Sequence, residues 1–381
     1  MKKRMELASL FLAAALLLGQ AAAAGGGADD PLVSLEYLQT VFSSKAEKAA
    51  QEKLDASGET VYSAAESKWR SAVSAAEAAA GVSSQTPSAA QIASRWSETR
   101  LKRGDRLLGV TGTQVLPLAG SVSAQIYSGA VIDVTEGREI SGGVLTLRHR
   151  YLVAEDASVT FSVSSRTAVL DYCGGYSITP STTEPDYNAM ASALKTLALF
   201  KGSDTGFGEG FDLELAPTRI QALIMLIRML GEEEAALACT APSPFKDIPA
   251  THWGRAYVAY AYEKGYTNGV EDNKFAPDRT ASAAMYVEFI LRALGYSSTA
   301  QTDITTAVDR ALEAGVISFG EREALQTNEF LRADVAYLSW YALGAPLPGS
   351  LQTLHEKLEA TGVFTADDYR RASMMISSYR L

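Results

Sequence analysis

Histidine and cysteine carry much of the metal and nucleophile chemistry of proteins. This 381-residue chain holds three of the first, His149, His252 and His355, and two of the second, Cys173 and Cys239. They are too scattered for a zinc-ligand spacing, and no serine or cysteine nucleophile signature accompanies His149. Gly206-Phe-Gly-Glu-Gly-Phe211 is glycine-rich but lacks the strand–loop–helix frame and the lysine of a phosphate cradle. Glu271-Asp272-Asn273 lies between helical runs, yet the twelve-position ligand pattern of a calcium loop fails there. No pair of carboxylates stands in a catalytic context. The expectation is a non-enzyme with no catalytic residues, no metal ligands and no cofactor. What does recur is arginine: Arg219 and Arg332 each stand 12 residues before a glycine that closes an apolar run.

The elements that carry these arginines repeat. Segments 218–231, 282–295 and 331–344 align without gaps, and each reads as an apolar helix ending in Leu-Gly, with the glycine suited to the position after the cap. A shorter helix and a turn precede each one. Such helix–loop–helix units cannot bury their apolar faces alone and must pack on one another. The three units run over about 186–231, 244–295 and 303–344, within residues 186–345. Upstream, short β-rich runs alternate with glycine turns and predict a small all-β module over 101–178, with His149 on a strand face. Residues 31–98, rich in Ala, Ser, Glu and Lys, predict a helical spacer or coiled coil through which copies could self-associate. Residues 346–381 predict a C-terminal helical tail with Thr365 as an N-cap.

The middle unit carries a family resemblance. Residues 244–253, which include Phe245, Asp247, His252 and Trp253, are followed by a helical run, Asn268-Gly269 and Phe275-Ala-Pro-Asp-Arg279. This order resembles the S-layer homology (SLH) domain, whose second helix opens on a Thr-Arg-Ala-Glu motif. Thr218-Arg219-Ile220-Gln221 and Leu331-Arg332-Ala333-Asp334 match that place in the outer units, whereas the middle unit reads Ser282-Ala283-Ala284-Met285. The helical spacer and β module resemble companions of such repeats in clostridial secreted proteins. The fold class implied is multidomain: an N-terminal α-helical segment, a small all-β module, then an all-α three-repeat SLH-like unit with pseudo-threefold helical packing. The function implied is non-covalent attachment to a secondary cell-wall polysaccharide, typically through a pyruvylated sugar. Arg219 and Arg332 would meet its carboxylate with a planar fork of donors beside the positive end of a helix. Trp253 would pack on a sugar face, with Asp247 and Thr218 completing the site. The missing middle arginine predicts an inactive groove there. The alternative is a structural S-layer or adhesin-type protein whose repeats pack without binding glycan.

Charge and the N-terminus narrow the setting. The chain carries 34 Lys+Arg against 44 Asp+Glu, a net charge of −10. Residues 186–345 alone hold 21 acidic and 13 basic side chains, which is −8 of that total. Phosphate surfaces repel such a chain, so nucleic acid is not an expected partner. Lys2, Lys3 and Arg4 precede an apolar run over 7–18, and Ala21 to Ala24 offer small residues for cleavage. Residues 1–24 therefore predict a signal peptide, and Gly25 to Gly27 break the run too soon for a membrane span. The expected location is the cell wall or surface of a Gram-positive-type bacterium, with no membrane contact after cleavage.

Overall fold

The computed structural model describes residues 91–202, 210–270, 273–296, 303–327, 329–378 and 380–381. The expected signal peptide and the expected helix over 31–90 lie outside the described residues, as do Glu271, Asp272 and most of the glycine-rich stretch after Lys201. Among the described residues, no helix is long and apolar enough to cross a membrane.

Eight strands come first: β1 (Gln91–Lys102), β2 (Arg106–Val110), β3 (Gln114–Ala119), β4 (Val122–Asp133), β5 (Arg138–Ile140), β6 (Gly143–Val144), β7 (Tyr151–Val163) and β8 (Thr167–Thr179). The sheet order is β1-β8-β2-β7-β4-β5. β3 bonds both β7 and β8, as β2 does, so the sheet closes into a small barrel. Alternation fills its interior: Tyr151, Val153, Ala157, Val159, Phe161 and Val163 of β7 point inward with Val122, Ala124 and Val131 of β4. Gly129 sits on β4 at φ 68°, where an added Cβ would fall 2.6 Å from the Ala157 backbone, so only glycine allows the close approach of β7.

Helices follow: α1 (Tyr187–Thr196), α2 (Arg219–Met229), α3 (Glu233–Leu237), α4 (Arg255–Glu263), α5 (Ala283–Leu294), α6 (Ala307–Glu313), α7 (Phe319–Thr327), α8 (Arg332–Leu343), α9 (Leu354–Ala360) and α10 (Ala366–Ser373). They share one apolar core, which runs from Tyr187 to Ala372 and includes Leu354 and Leu358 of the tail. Thr365 caps α10, with Asp368 as the reciprocal partner. Gly231 and Gly295 take the left-handed conformation after α2 and α5, at φ 70° and 94°, whereas Gly344 after α8 does not.

The fold class expected from the sequence, a multidomain chain of helical segment, small β module and pseudo-threefold all-α unit, is corrected by this architecture. The described chain is a β-rich region with a small barrel followed by helices, and Thr86–Leu381 form one compact unit. Residues 91–98, expected in the helical spacer, are the first eight residues of β1, which pairs with β8 from Gln91↔Tyr176 to Lys102↔Thr167. Helix propensity in an Ala- and Ser-rich stretch is a weak preference, and a ladder of that length outweighs it. The barrel is also tied to the helices. Arg166, between β7 and β8, reaches Asp334 of α8 at 3.1 Å and donates to Glu329 O at 2.7 Å. A second correction concerns His149, expected on a strand face. The chain leaves β6 after Val144 and turns, with His149 N donating to Thr146 O at 3.4 Å and Arg148 at φ 64°, and His149 lies in the resulting loop. Cys173 and Cys239 are free.

Candidate functional site

Three helix starts, those of α2, α8 and α5, occupy equivalent places in the repeated sequence, and their surroundings differ. At α2, Thr218 is the N-cap: it accepts from Gln221 N at 3.4 Å, and its own N–H donates to Gln221 Oε1 at 2.9 Å. The next two N–H groups are spent on another segment, Arg219 N on Arg279 O at 2.7 Å and Ile220 N on Pro277 O at 3.1 Å. The Arg219 side chain is only 3% exposed. It lies between the rings of Phe275 and Phe289, 5.0 and 5.1 Å from their centroids. Its Nη2 donates weakly to Thr267 Oγ1 at 3.4 Å and Gly269 O at 3.3 Å, while Nε and Nη1 meet no hydrogen-bond partner among the described residues. Burial, reinforced by the charges of Arg279 and Arg292, pulls its pKa down to about 10, so it remains a cation at neutral pH.

At α8 the pattern recurs with a different neighbour. Arg332 N and Ala333 N donate to Leu215 O and Leu213 O at 2.9 and 3.0 Å. Arg332 Nε donates to Phe211 O at 2.9 Å, and its guanidinium lies 6.0 Å from the Phe200 ring. Asp334 accepts from Leu331 N at 2.7 Å and faces Arg166. Burial pushes its pKa up to about 6, against the opposing pull of Arg166.

The start of α5 is open instead. Ser282 caps it, accepting from Met285 N at 3.3 Å. Ala283 stands where the other two helices place arginine, and the N–H groups of Ala283 and Ala284 meet no partner among the described residues. In front of them lies a groove of about 510 Å³, lined by Thr280, Ser282, Thr305, Gln326, Glu329 and Phe330 among others. In the sequence this place is marked only by the absent arginine, which predicts an inactive groove and gives no sign of the open volume.

The remaining sequence candidates gather near α2. Asp247 accepts from Phe275 N at 2.8 Å and Ala276 N at 2.7 Å, so both of its oxygens hold the turn beneath Arg219. Ala276 itself has φ 58°, a conformation the Asp247 clamp helps to hold. Trp253 is 67% exposed and stacks on His252 at 5.8 Å. The following residue, Gly254, is pressed against Ile220: an added Cβ would fall 2.2 Å from its Cδ1. The structure thus brings Thr218, Arg219, Asp247 and Trp253 to one region around α2 and the Phe275 turn. Arg332 packs elsewhere, against Phe200 and Phe211.

Residues 244–282 match the S-layer homology domain family. Over 119 residues the chain is 34% identical to the Cell surface protein of Thermoanaerobacter kivui, covering 31% of this chain and 16% of that protein. It is 30% identical over 118 residues to the Surface layer protein of Brevibacillus choshinensis, covering 30% of this chain and 10% of that protein. The Cellulosome-anchoring protein of Acetivibrio thermocellus is 28% identical over 69 residues, covering 18% of this chain and 15% of that protein. The chain therefore spans less than a fifth of the length of these relatives.

Proposed function

We propose that this SLH-containing surface protein, associated with the cell wall of a Gram-positive-type bacterium, is held there non-covalently by a secondary cell-wall polysaccharide seated in the groove at the start of α5. The role is anchoring rather than catalysis. The observation that carries the reading is that open volume and unspent donors coincide at this place, with the N–H groups of Ala283 and Ala284 facing a groove of about 510 Å³. A pyruvyl carboxylate on a sugar suits two free N–H groups at the positive end of a helix. Thr280, Ser282, Thr305 and Gln326 offer partners for sugar hydroxyls, and Phe330 offers a ring for the sugar's C–H face.

In this reading Arg219 and Arg332 are positioning residues. They hold α2 and α8 against neighbouring turns, with Thr218 and Asp247 fixing the joint at α2. Trp253 is a second sugar contact, since its ring is solvent-exposed and its backbone is fixed by the packing of Gly254 on Ile220. Sedimentation of the purified chain with wall sacculi tests the reading. It should sediment with native sacculi and stay in solution once the pyruvyl groups are removed chemically; binding indifferent to that removal would overturn the assignment of the carboxylate.

One observation favours a second reading. The first-turn donors of α2 and α8 are consumed inside the protein, as they would be in repeats that only pack, in an S-layer or adhesin-type subunit. Failure to sediment with any sacculi, together with sheet formation by the purified chain, would support that reading instead.

A further inference from the structure

We infer that the barrel carries a site for a divalent transition cation at the turn between β4 and β5, built from Asp133, Glu136 and His149. These residues lie 13 to 16 positions apart in pairs with His149, too far for a sequence spacing to reveal, and the hairpin and the 145–150 loop bring them together. Asp133 closes β4 and is only 1% exposed. Its Oδ1 accepts from Thr135 N at 3.0 Å and Glu136 N at 3.1 Å, which fixes the carboxylate and directs Oδ2 at His149 Nδ1, 2.8 Å away. Glu136 Oε1 approaches the same nitrogen at 3.9 Å, while its other oxygen is held by Arg138. The loop that carries His149 is pinned to the turn by Arg150 N donating to Thr135 Oγ1 at 2.9 Å and by Val134 N donating to Arg150 O at 2.7 Å.

Two carboxylate oxygens therefore converge on one ring nitrogen, which carries at most one proton and can satisfy only one of them. A cation serves both. Ligand atoms at 2.0–2.2 Å from a common ion stand about 3.0–3.5 Å apart, and the distances of 2.8 and 3.9 Å straddle that range. The three donor atoms all lie within 4.8 Å of one another. One imidazole nitrogen with two carboxylate oxygens suits Zn²⁺ or Mn²⁺ better than the all-oxygen preference of Ca²⁺ or Mg²⁺. Three protein ligands leave coordination positions open to water or a ligand. Access exists, because Arg138, bonded to Glu136, and Tyr151, stacked on His149 at 6.5 Å, also line an open cavity of about 350 Å³.

Titration of the chelator-treated full chain with Zn²⁺ near neutral pH, followed by calorimetry and by thermal melting, tests this. The expected result is saturable binding of one equivalent with a rise in melting temperature, and no saturable binding of Ca²⁺ or Mg²⁺. His149→Ala should abolish that binding. Glu136→Gln, in an exposed turn that leaves the Asp133 clamp intact, should weaken it about tenfold or more while melting like the wild type without metal. Absence of saturable Zn²⁺ binding, or Glu136→Gln and His149→Ala chains that bind as the wild type does, would overturn the site.

Discussion

The start of α2 and the start of α5 occupy the same register in two of the aligned sequence segments, and they are built in opposite ways. At α2 an arginine fills the space between Phe275 and Phe289, and the first N–H groups of the helix are spent on residues 277–279. At α5 an alanine leaves the space open, and the corresponding N–H groups face a groove. In the proposed reading, the difference makes arginine at this position a staple between neighbouring segments. A buried cation with only two weak donations, to Thr267 and Gly269, is badly placed to meet a polymer arriving from solvent. Removing the staple turns a joint into a cleft. The acidic balance of the repeats sharpens the point, because an anionic polymer gains nothing from bulk attraction to them and needs focused donors.

Four changes probe the contrast, beginning with the closed side. Gly269 adopts φ 78°, and an added Cβ would lie 2.3 Å from Phe245 Cε1 and 2.6 Å from Lys274 O. Gly269→Ala should therefore cost about 3 kcal/mol or more in urea unfolding, combining backbone strain with overpacking. Asp247→Ala leaves Phe275 N and Ala276 N without their acceptor and should cost about 2–3 kcal/mol by the same measurement. A cost near zero would mean that the turn beneath Arg219 needs no clamp.

The third change concerns pH at α8. The folded pKa of Asp334, raised to about 6 by burial, exceeds its ordinary value of 3.8. Between those values the folded protein binds the extra proton, so this group adds stability as pH falls from about 6 toward 3.8 and adds none above. Relative to Asp334→Asn, the wild type should gain on the order of 1 kcal/mol or more across that window in parallel urea titrations. A flat difference would place the carboxylate in a better-solvated setting. The smallest effect belongs to Trp253: its exposed ring predicts a stability change within about 0.5 kcal/mol for Trp253→Ala, with a few-fold loss of sedimentation on sacculi.

Much of the helical half was legible because helical periodicity and Leu-Gly endings are local signals. α2, α5 and α8 fall within the three aligned segments, and Thr365 caps α10. The barrel was legible through another local signal, since β2 to β7 and all but the last residue of β8 lie within the β-rich stretch 101–178. The start of β1, residues 91–98, was not, because its conformation is decided by a partner more than 70 residues away. His149 lies in a loop rather than on a strand face, since an alternating pattern does not announce a left-handed residue such as Arg148. At the candidate site the sequence marked the position of each arginine but not its depth. Whether a first-turn guanidinium meets solvent or two phenylalanine rings depends on a neighbouring segment that the local sequence does not describe.

Ala283→Arg tests the central claim most directly, because it places at α5 the side chain that α2 and α8 already have. Sedimentation with native sacculi would be measured for this variant and the wild type, with melting curves to verify that both fold. If the groove seats the polymer, the new arginine fills it and sedimentation falls about tenfold or more, as expected when a binding cleft is occluded. Sedimentation that rises instead would contradict the account and make the arginines, rather than the groove that arginine closes, the contacts to the polymer.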